Sequence, residues 1–521
     1  TEIYTLSLHD ALPIYIEWAY EKGTLYLLQT RPITTLFRVP PSMRTQRGKA
    51  RKLYIDFTLI GQGVRKPLSV LGIEFYSILQ NSATRCLLGI DIPGLDDGFF
   101  GGVEGRSYMN VSNLFKVPGG VFFTKKLSRE DRIITSVIES LPLRAYRTHK
   151  KPEKLRFFLF RVMKNSMRYT RLKYEPYNDP MGYRDFFIEE SQKRTEELDR
   201  IAEKCTGLKD LSSALEDWFS DFLISVSLAM TSASHSIALE SIRKTFKRQD
   251  RAYHEVLLKL ERGLPHNNTV AMGLELEKLA AMVSFRTFGS YKEWIAACGM
   301  GKVPQADRKA FEEYLASFGY RSPVEIDAAA VRPSDNPALF YKTLNERAQQ
   351  QHGSSDGQAQ FEKAWKEREE AFEFLKNSIP EGKKRRKFEK DYGVWVNLGG
   401  YREIHKDFMV RAIYCFRSRA MTQGERFVNE GRLDRPEEIF NLTIGQIEEA
   451  VSNPGIDLKK TSRANMEWRE NNWTNVREFP PIFDSRGRIL RPPVETKENG
   501  DLTGQGISPG VAQGRAKVLN Y

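Results

Sequence analysis

Cysteine is scarce in these 521 residues: Cys86, Cys205, Cys298 and Cys415 lie far apart, with no C-x-x-C pair. Thiols this sparse argue against a disulfide scaffold and against a zinc site, and they suit a reducing cytoplasm. Long apolar runs are missing too. The most apolar helical stretch, Phe219 to Met230, contains Asp221 and is too short to cross a bilayer, so no transmembrane segment is expected. Histidine numbers only seven, and His235 and His254, both on helical patterns, have no second ligand at a fixed spacing; they read as ordinary helix residues. No RNA-binding or helix-turn-helix signature is present. What is plentiful is positive charge. A net +13 and a pI of about 9.3 permit nucleic-acid or anionic-substrate binding without showing either. With 40% hydrophobic and 28% charged residues, the chain reads as a soluble globular protein of more than one domain's length.

The most informative stretch is IEWAYEKGTLYLLQTRPIT, Ile16 to Thr34, two short strands around a Gly-containing turn. Side chains alternate along a strand, so Gln29 and Arg31 share a face with Leu27. A three-residue loop, Glu21-Lys22-Gly23, pairs Tyr20 with Thr24 and sets Glu17 opposite Leu27, on that same face; a two-residue Lys22-Gly23 loop sends Glu17 to the other side. The first register is preferred because it gathers a carboxylate, an amide and a guanidinium. Such a set can hold Mg²⁺, exchange hydrogen bonds and clamp phosphate oxygens. The plainer reading is a surface hairpin with three solvated polar residues.

Ahead of the hairpin, TEIYTLSLHDALPI, Thr1 to Ile14, reads like a translated sequencing adapter and is set aside. After it, the basic, Pro-containing segment from Leu36 to Lys52 reads as an extended linker. Helices then dominate. Pro67 stands where a first helical residue would, before the apolar LSVLGIEFYSIL, and GRSYMNVSNLF, Gly105 to Phe115, is richer in strand formers. Leu211, Leu215, Trp218, Phe219, Phe222 and Val226 make one broad apolar stripe that reads as core. Phe361, Trp365, Phe372 and Leu375 mark a bundle helix, with Glu367, Glu369 and Glu370 on its solvated sides. The run Lys383-Lys384-Arg385-Arg386-Lys387 reads as a solvated face ahead of a phosphate contact.

Two later stretches carry polar constellations. In YLASFGYRSPVEIDAAAVRPSDNP, Tyr314 to Pro337, Arg321 near Glu325 and Asp327 is expected to form a buried ionic cluster that fixes a loop, a structural role rather than substrate contact. In Arg402 to Ala450, a long helix ends near Gly431 and Thr443 with Gln446 forms a capping box for the next one. Arg411, Arg417 and Arg419 make either a cationic surface or rim salt bridges; the second reading is favoured. Beyond Asn472, EFPPIFDSRGRILRPPVE reads as a short Pro-bounded β element.

These stretches resemble the phosphoenolpyruvate synthase, pyruvate phosphate dikinase and rifampin phosphotransferase family. IEWAYEKGTLYLLQTRPIT is similar to the closing hairpin of its ATP-binding domain; the resemblance implies that Glu17, Gln29 and Arg31 contact ATP phosphates and that Glu17 contacts their Mg²⁺. The family loop usually carries Gly-His-Arg, Glu-x-Asp and Pro-Arg-Trp; here Gly319, Arg321, Glu325, Asp327 and Arg332 are kept, Tyr320 replaces the His, and the Trp is absent. LTGQGISPGVAQGRAKVLNY, Leu502 to Tyr521, resembles the opening of the swivelling phosphohistidine domain. The fold implied is mainly α: a hairpin of an ATP-grasp-like domain at 15–36, a linker at 37–53, a large helical middle domain at 54–497 and the first strand of the phosphohistidine domain at 498–521.

The function implied is an ATP-dependent phosphotransferase, in which ATP phosphorylates a carrier histidine that passes the group to a small-molecule acceptor, pyruvate or an antibiotic-like molecule. None of His9, His149, His235, His254, His266, His352 and His405 follows Leu502, so no catalytic residue is assigned, and the chain is expected to be an inactive middle piece. Its hairpin and terminal strand should show unpaired edges. Cytoplasmic location follows, with no membrane partner and no nucleic acid expected. The alternative is a self-standing helical binding or scaffold protein with a basic surface.

Overall fold

Among the described residues, strand structure is confined to two small antiparallel sheets, and the rest of the ordered secondary structure is helix. The computed structural model describes residues 14–21, 24–32, 37–46, 48–88, 94–115, 121, 124, 132–146, 174–247, 249–350, 357–473 and 479–491, in some of these only the backbone. Of the adapter-like residues 1–14, the first thirteen lie outside them while Ile14 opens a strand, and the expected phosphohistidine-domain opening at 498–521 lies outside them as well. Strands β1 (Ile14–Glu21) and β2 (Thr24–Pro32) pair only with each other, leaving their outer edges unpaired among the described residues. The second sheet has the order β4-β5-β3-β6, from β3 (Leu53–Asp56), β4 (Phe100–Val103), β5 (Arg106–Asn110) and β6 (Ile482–Asp484).

The pairing of β3 with β6, Leu53 opposite Asp484 and Ile55 opposite Ile482, joins the two ends of the helical body. It also draws in the segment expected to be a linker. Phe37, Val39 and Met43 are buried with Tyr54, Tyr108 and Phe483, the Phe37 ring lies 4.9 Å from that of Phe483, and the Phe37 N–H donates to the Gly487 carbonyl at 2.6 Å. The backbone is extended around Pro40 and Arg44, with a single 3-10 turn at Pro41–Met43 between them, and Phe37, Val39 and Met43 have a sheet face to cover. Gly487, at φ +87°, turns the chain against Phe37; a Cβ there would sit 2.5 Å from the Phe37 carbonyl oxygen.

The main core lies between the helices Val70–Leu88, Leu208–Phe222 and Ile404–Asn429. All six residues of the expected stripe, Leu211 through Val226, are buried in it. Phe75 stacks on Phe416 at 4.0 Å and Phe222 on Phe408 at 3.7 Å, so flat faces set the spacing of the helices. The first of these helices begins later than Pro67 suggests. Ser69 occupies the cap position, its Oγ accepting the Gly72 N–H at 3.0 Å, while Pro67 packs against Gly105. From Leu208 the chain stays helical to Thr245, through two π-helical stretches, Leu223–Ser227 and Ser232–Leu239.

Two smaller cores flank the first. One gathers Phe285, Trp294, Phe311 and Tyr341; the other joins Leu375, Phe388, Tyr392 and Trp395. The bundle helix predicted around Phe361 is present as Gly357–Asn377, but Trp365 is 46% exposed. Arg368 is buried in its place, donating to the Tyr392 hydroxyl at 3.2 Å and to the Gly263 carbonyl; a guanidinium with several fixed acceptors tolerates burial.

The Thr443 capping box forms as expected: Thr443 Oγ1 accepts the Gln446 N–H at 3.1 Å, and Gln446 Oε1 accepts the Thr443 N–H at 3.0 Å. Thr443→Ala should lower stability by about 1 kcal/mol, read as a shift of the urea midpoint at unchanged slope.

Candidate functional site

The hairpin carries the residues singled out for nucleotide binding. Its backbone register differs from the preferred one: Glu21 pairs with Thr24, Tyr20 with Leu25 and Trp18 with Leu27. The strands therefore run to a two-residue connection, the length that best matches strand twist. Taken alone, that register would separate Glu17 from Gln29 and Arg31. A bulge between Glu17 and Trp18 changes the parity, so that Glu17 pairs with Gln29 and Tyr15 with Arg31. The three positions expected to act together thus sit at adjoining register positions, reached by a route that the spacing did not indicate.

A second polar constellation lies in the loop 319–335 and on the long helix Ile404–Asn429. Arg321 pairs with Glu325 at 2.6 Å, as expected, and also with Asp407 at 3.2 Å. Asp407 accepts from the Tyr320 hydroxyl at 2.5 Å and from Arg411 at 3.0 Å, and the Arg411 guanidinium lies over the Tyr320 ring. Tyr320 therefore serves as a neutral donor to a buried carboxylate. Asp327 does not join Arg321. Its carboxylate turns to the start of the helix Val70–Leu88, accepting the Ser69 N–H at 2.9 Å and the Ser69 hydroxyl at 2.5 Å.

Arg411, Arg417 and Arg419 of the long helix are engaged within the fold, as the salt-bridge reading expects. Arg417 is buried on Asp335 at 2.8 Å and the Ala328 carbonyl at 2.7 Å, and Arg419 donates to the Ala202 carbonyl. Arg332, also buried, donates to Ser322 and to the carbonyls of Glu325 and Asp327. Burial and the neighbouring Arg417 bring its guanidinium down to about 10. The arrangement is a buckle: it ties the loop to two core helices and presents no nucleophile or general base. Asp407 and Asp335 escape a reading by motif because their partners are distant in sequence, although Asp407 and Arg411 stand at helical i, i+4 spacing.

The Gly-Arg at the start of β5 supplies the most deeply buried ion pair among the described residues. Arg106 and Asp56 are both essentially inaccessible and meet at 2.6 Å. Arg106 also donates to the Arg65 carbonyl at 2.9 Å and the Val64 carbonyl at 3.2 Å, with its guanidinium 3.9 Å from the centroid of the Phe479 ring. Asp56 in turn caps the helix Phe57–Gln62 by accepting the Leu59 N–H.

His235 stands edge-on to Trp395 with 4.8 Å between ring centroids, beside Ser234, and it and His405 are held neutral, each brought down to about 4 chiefly by burial. Cys205, Cys298 and Cys415 are free thiols, and among the described residues no group of three or more His, Cys, Asp or Glu side chains could hold a metal ion. No helix among them is long and apolar enough to cross a membrane.

Residues 224–403 match the rifampicin phosphotransferase fourth domain. Over 98% of its length the chain is 24% identical to the rifampicin phosphotransferase of Bacillus subtilis, and over 97% it is 25% identical to that of Bacillus cereus. A Streptomyces rifampicin phosphotransferase is 26% identical over 49% of the chain. The chain spans 57% of the length of each Bacillus relative. These similarities support a phosphoenolpyruvate synthase and rifampin phosphotransferase-like family.

Proposed function

We propose that this chain is the helical, acceptor-binding portion of an ATP-dependent phosphotransferase, together with the last hairpin of its ATP site, and that the acceptor is a rifampicin-like antibiotic in preference to pyruvate. The observation that carries this reading is the similarity to rifampicin phosphotransferases along nearly the whole chain. On this reading the body at 54–497 holds the acceptor, the residues from 498 open the domain bearing the carrier histidine, and the enzyme acts in the cytoplasm. Glu17, Gln29 and Arg31 have the donor chemistry that a nucleotide and its Mg²⁺ require, and the bulged register sets their positions side by side. Glu17 would hold the metal, and Gln29 and Arg31 the phosphate oxygens. ATP with Mg²⁺ supplies the phosphoryl group; the chain's task is positioning and charge neutralisation.

Calorimetric titration of the 521-residue chain tests the acceptor. Saturable binding of rifampicin with no heat from pyruvate is expected; the reverse would refute the reading. In the complete enzyme, Arg31→Ala should slow ATP-dependent phosphorylation of rifampicin at least about tenfold, the loss of one charge-assisted contact, while leaving rifampicin binding intact.

A further inference from the structure

The basic run Lys383 to Lys387 opens the helix Lys383–Leu398, where the helix dipole disfavours cations. Two of the five are neutralised. Arg385 lies near Glu381 and Glu389 and donates to Asn377 at 3.1 Å, and Lys387 pairs with Asp391 at 2.7 Å. Lys383, Lys384 and Arg386 are exposed, with no side-chain partner among the described residues.

The neighbours come from elsewhere in the chain. His235 meets Trp395, Lys387 donates to Ser241, and Phe246 meets Phe388, so the stretch 235–246 runs antiparallel to this helix. That register carries exposed Lys244 and Lys247 to the same end, Lys247 again unpaired among the described residues. From Phe388 a row of aromatic rings leads outward: Phe246 at 5.6 Å, then Tyr253 at 6.0 Å from Phe246, then Phe374 at 5.6 Å from Tyr253. Phe374 is 52% exposed, and it lies one helical turn before Asn377, which accepts from Arg385. The helix that bears the exposed Phe374 is thus hydrogen-bonded, through Asn377 and Arg385, to the helix that bears Lys383, Lys384 and Arg386.

We propose that this face binds single-stranded nucleic acid, the cations Lys247, Lys383, Lys384 and Arg386 tracking the phosphates and Phe374 stacking on a base. Cations alone would suit any polyanion. The exposed ring beside them favours a strand with bases over an acidic polypeptide, because every base offers a face to stack on. This reverses the expectation of no nucleic-acid partner, which rests on the run as a solvated face and on the lack of an RNA-binding or helix-turn-helix signature. It is independent of the phosphotransferase reading.

The test is fluorescence anisotropy of the full chain with a labelled oligothymidylate of about twelve nucleotides. Binding is expected to weaken with added salt, with a log–log slope of about −3 for roughly four phosphates. Lys383→Glu with Lys384→Glu should weaken it at least about tenfold at unchanged melting temperature, because these side chains are exposed, and Phe374→Ala at least about fivefold with at most a small fall in melting temperature from the lost contact with Tyr253. Absence of binding at about 50 mM salt would overturn the proposal. So would insensitivity to either variant, or displacement by polyglutamate as effective as by unlabelled oligonucleotide, which would assign the face to acidic polypeptides.

Discussion

Arg106→Met is expected to destabilise the chain by about 3–5 kcal/mol, because it strands Asp56 as an unpaired charge in the interior. Arg106 supplies the cation that faces the Asp56 carboxylate, and both are inaccessible to water. Burial already pushes the Asp56 carboxyl upward against the opposing pull of Arg106. Without the guanidinium that carboxyl must be protonated or hydrated, and the carbonyls of Val64 and Arg65 lose their donor as well. The methionine fills much of the lost volume, so the measured cost reports electrostatics more than a cavity. Urea unfolding of Arg106→Met and of the double variant Arg106→Met with Asp56→Leu checks this. The double variant should recover some of the loss, since replacing both partners removes the stranded charge; a double variant worse than the single one would contradict the account.

Acid should weaken the fold well above the carboxylate range. His235 and His405 are brought from 6.5 to about 4, first by burial and then by neighbouring cations: Arg402 and Arg243 for His235, Lys406 for His405. Glu403 opposes this at both residues. Between these two pH values the unfolded chain binds more protons than the folded one, so stability rises with pH across that window. It is complete above about pH 6.5 and drains away as the pH falls toward about 4. The gap corresponds to at most roughly 3 kcal/mol for each histidine. Glu74, raised by burial, works in the opposite direction, because a carboxyl protonated more readily in the folded state gains stability on acidification. Urea midpoints measured from about pH 7 to about 4.5 should therefore fall for the native chain and fall much less for His235→Gln with His405→Gln. Equal slopes for the two proteins would rule out the histidines as the cause.

Features encoded by local spacing were legible in the sequence. The stripe from Leu211 to Val226, the capping box at Thr443 and the helix end near Gly431 depend on residues within a few turns of one another, and each is present. The β element after Asn472 is also there as β6. What spacing does not encode is partnership over distance. Proximity in sequence assigns Asp327 to Arg321, but Asp327 bonds to Ser69, and residues 37–53 read as a linker because the strand that pairs with their end is β6. The hairpin shows the same limit at short range. Alternation predicts a face only if no residue is inserted, and nothing in IEWAYEKGTLYLLQTRPIT marks the bulge that brings Glu17 back opposite Gln29. Hydrophobicity places Trp365 inside, whereas Arg368 is the residue held there, by acceptors on other segments.

The β3–β6 pair also has a mechanical side. Leu53, at the entry to the helical body, lies opposite Asp484, near its exit, so tension applied through the segments before 53 and after 484 pulls on the same end of an antiparallel pair. Under such a load the bonds break in succession, as in a zipper, instead of resisting together in shear. The helical body therefore hangs from a clasp that opens at low force, and pulling at its two ends should unfasten this sheet before it disturbs the stacked phenylalanines inside.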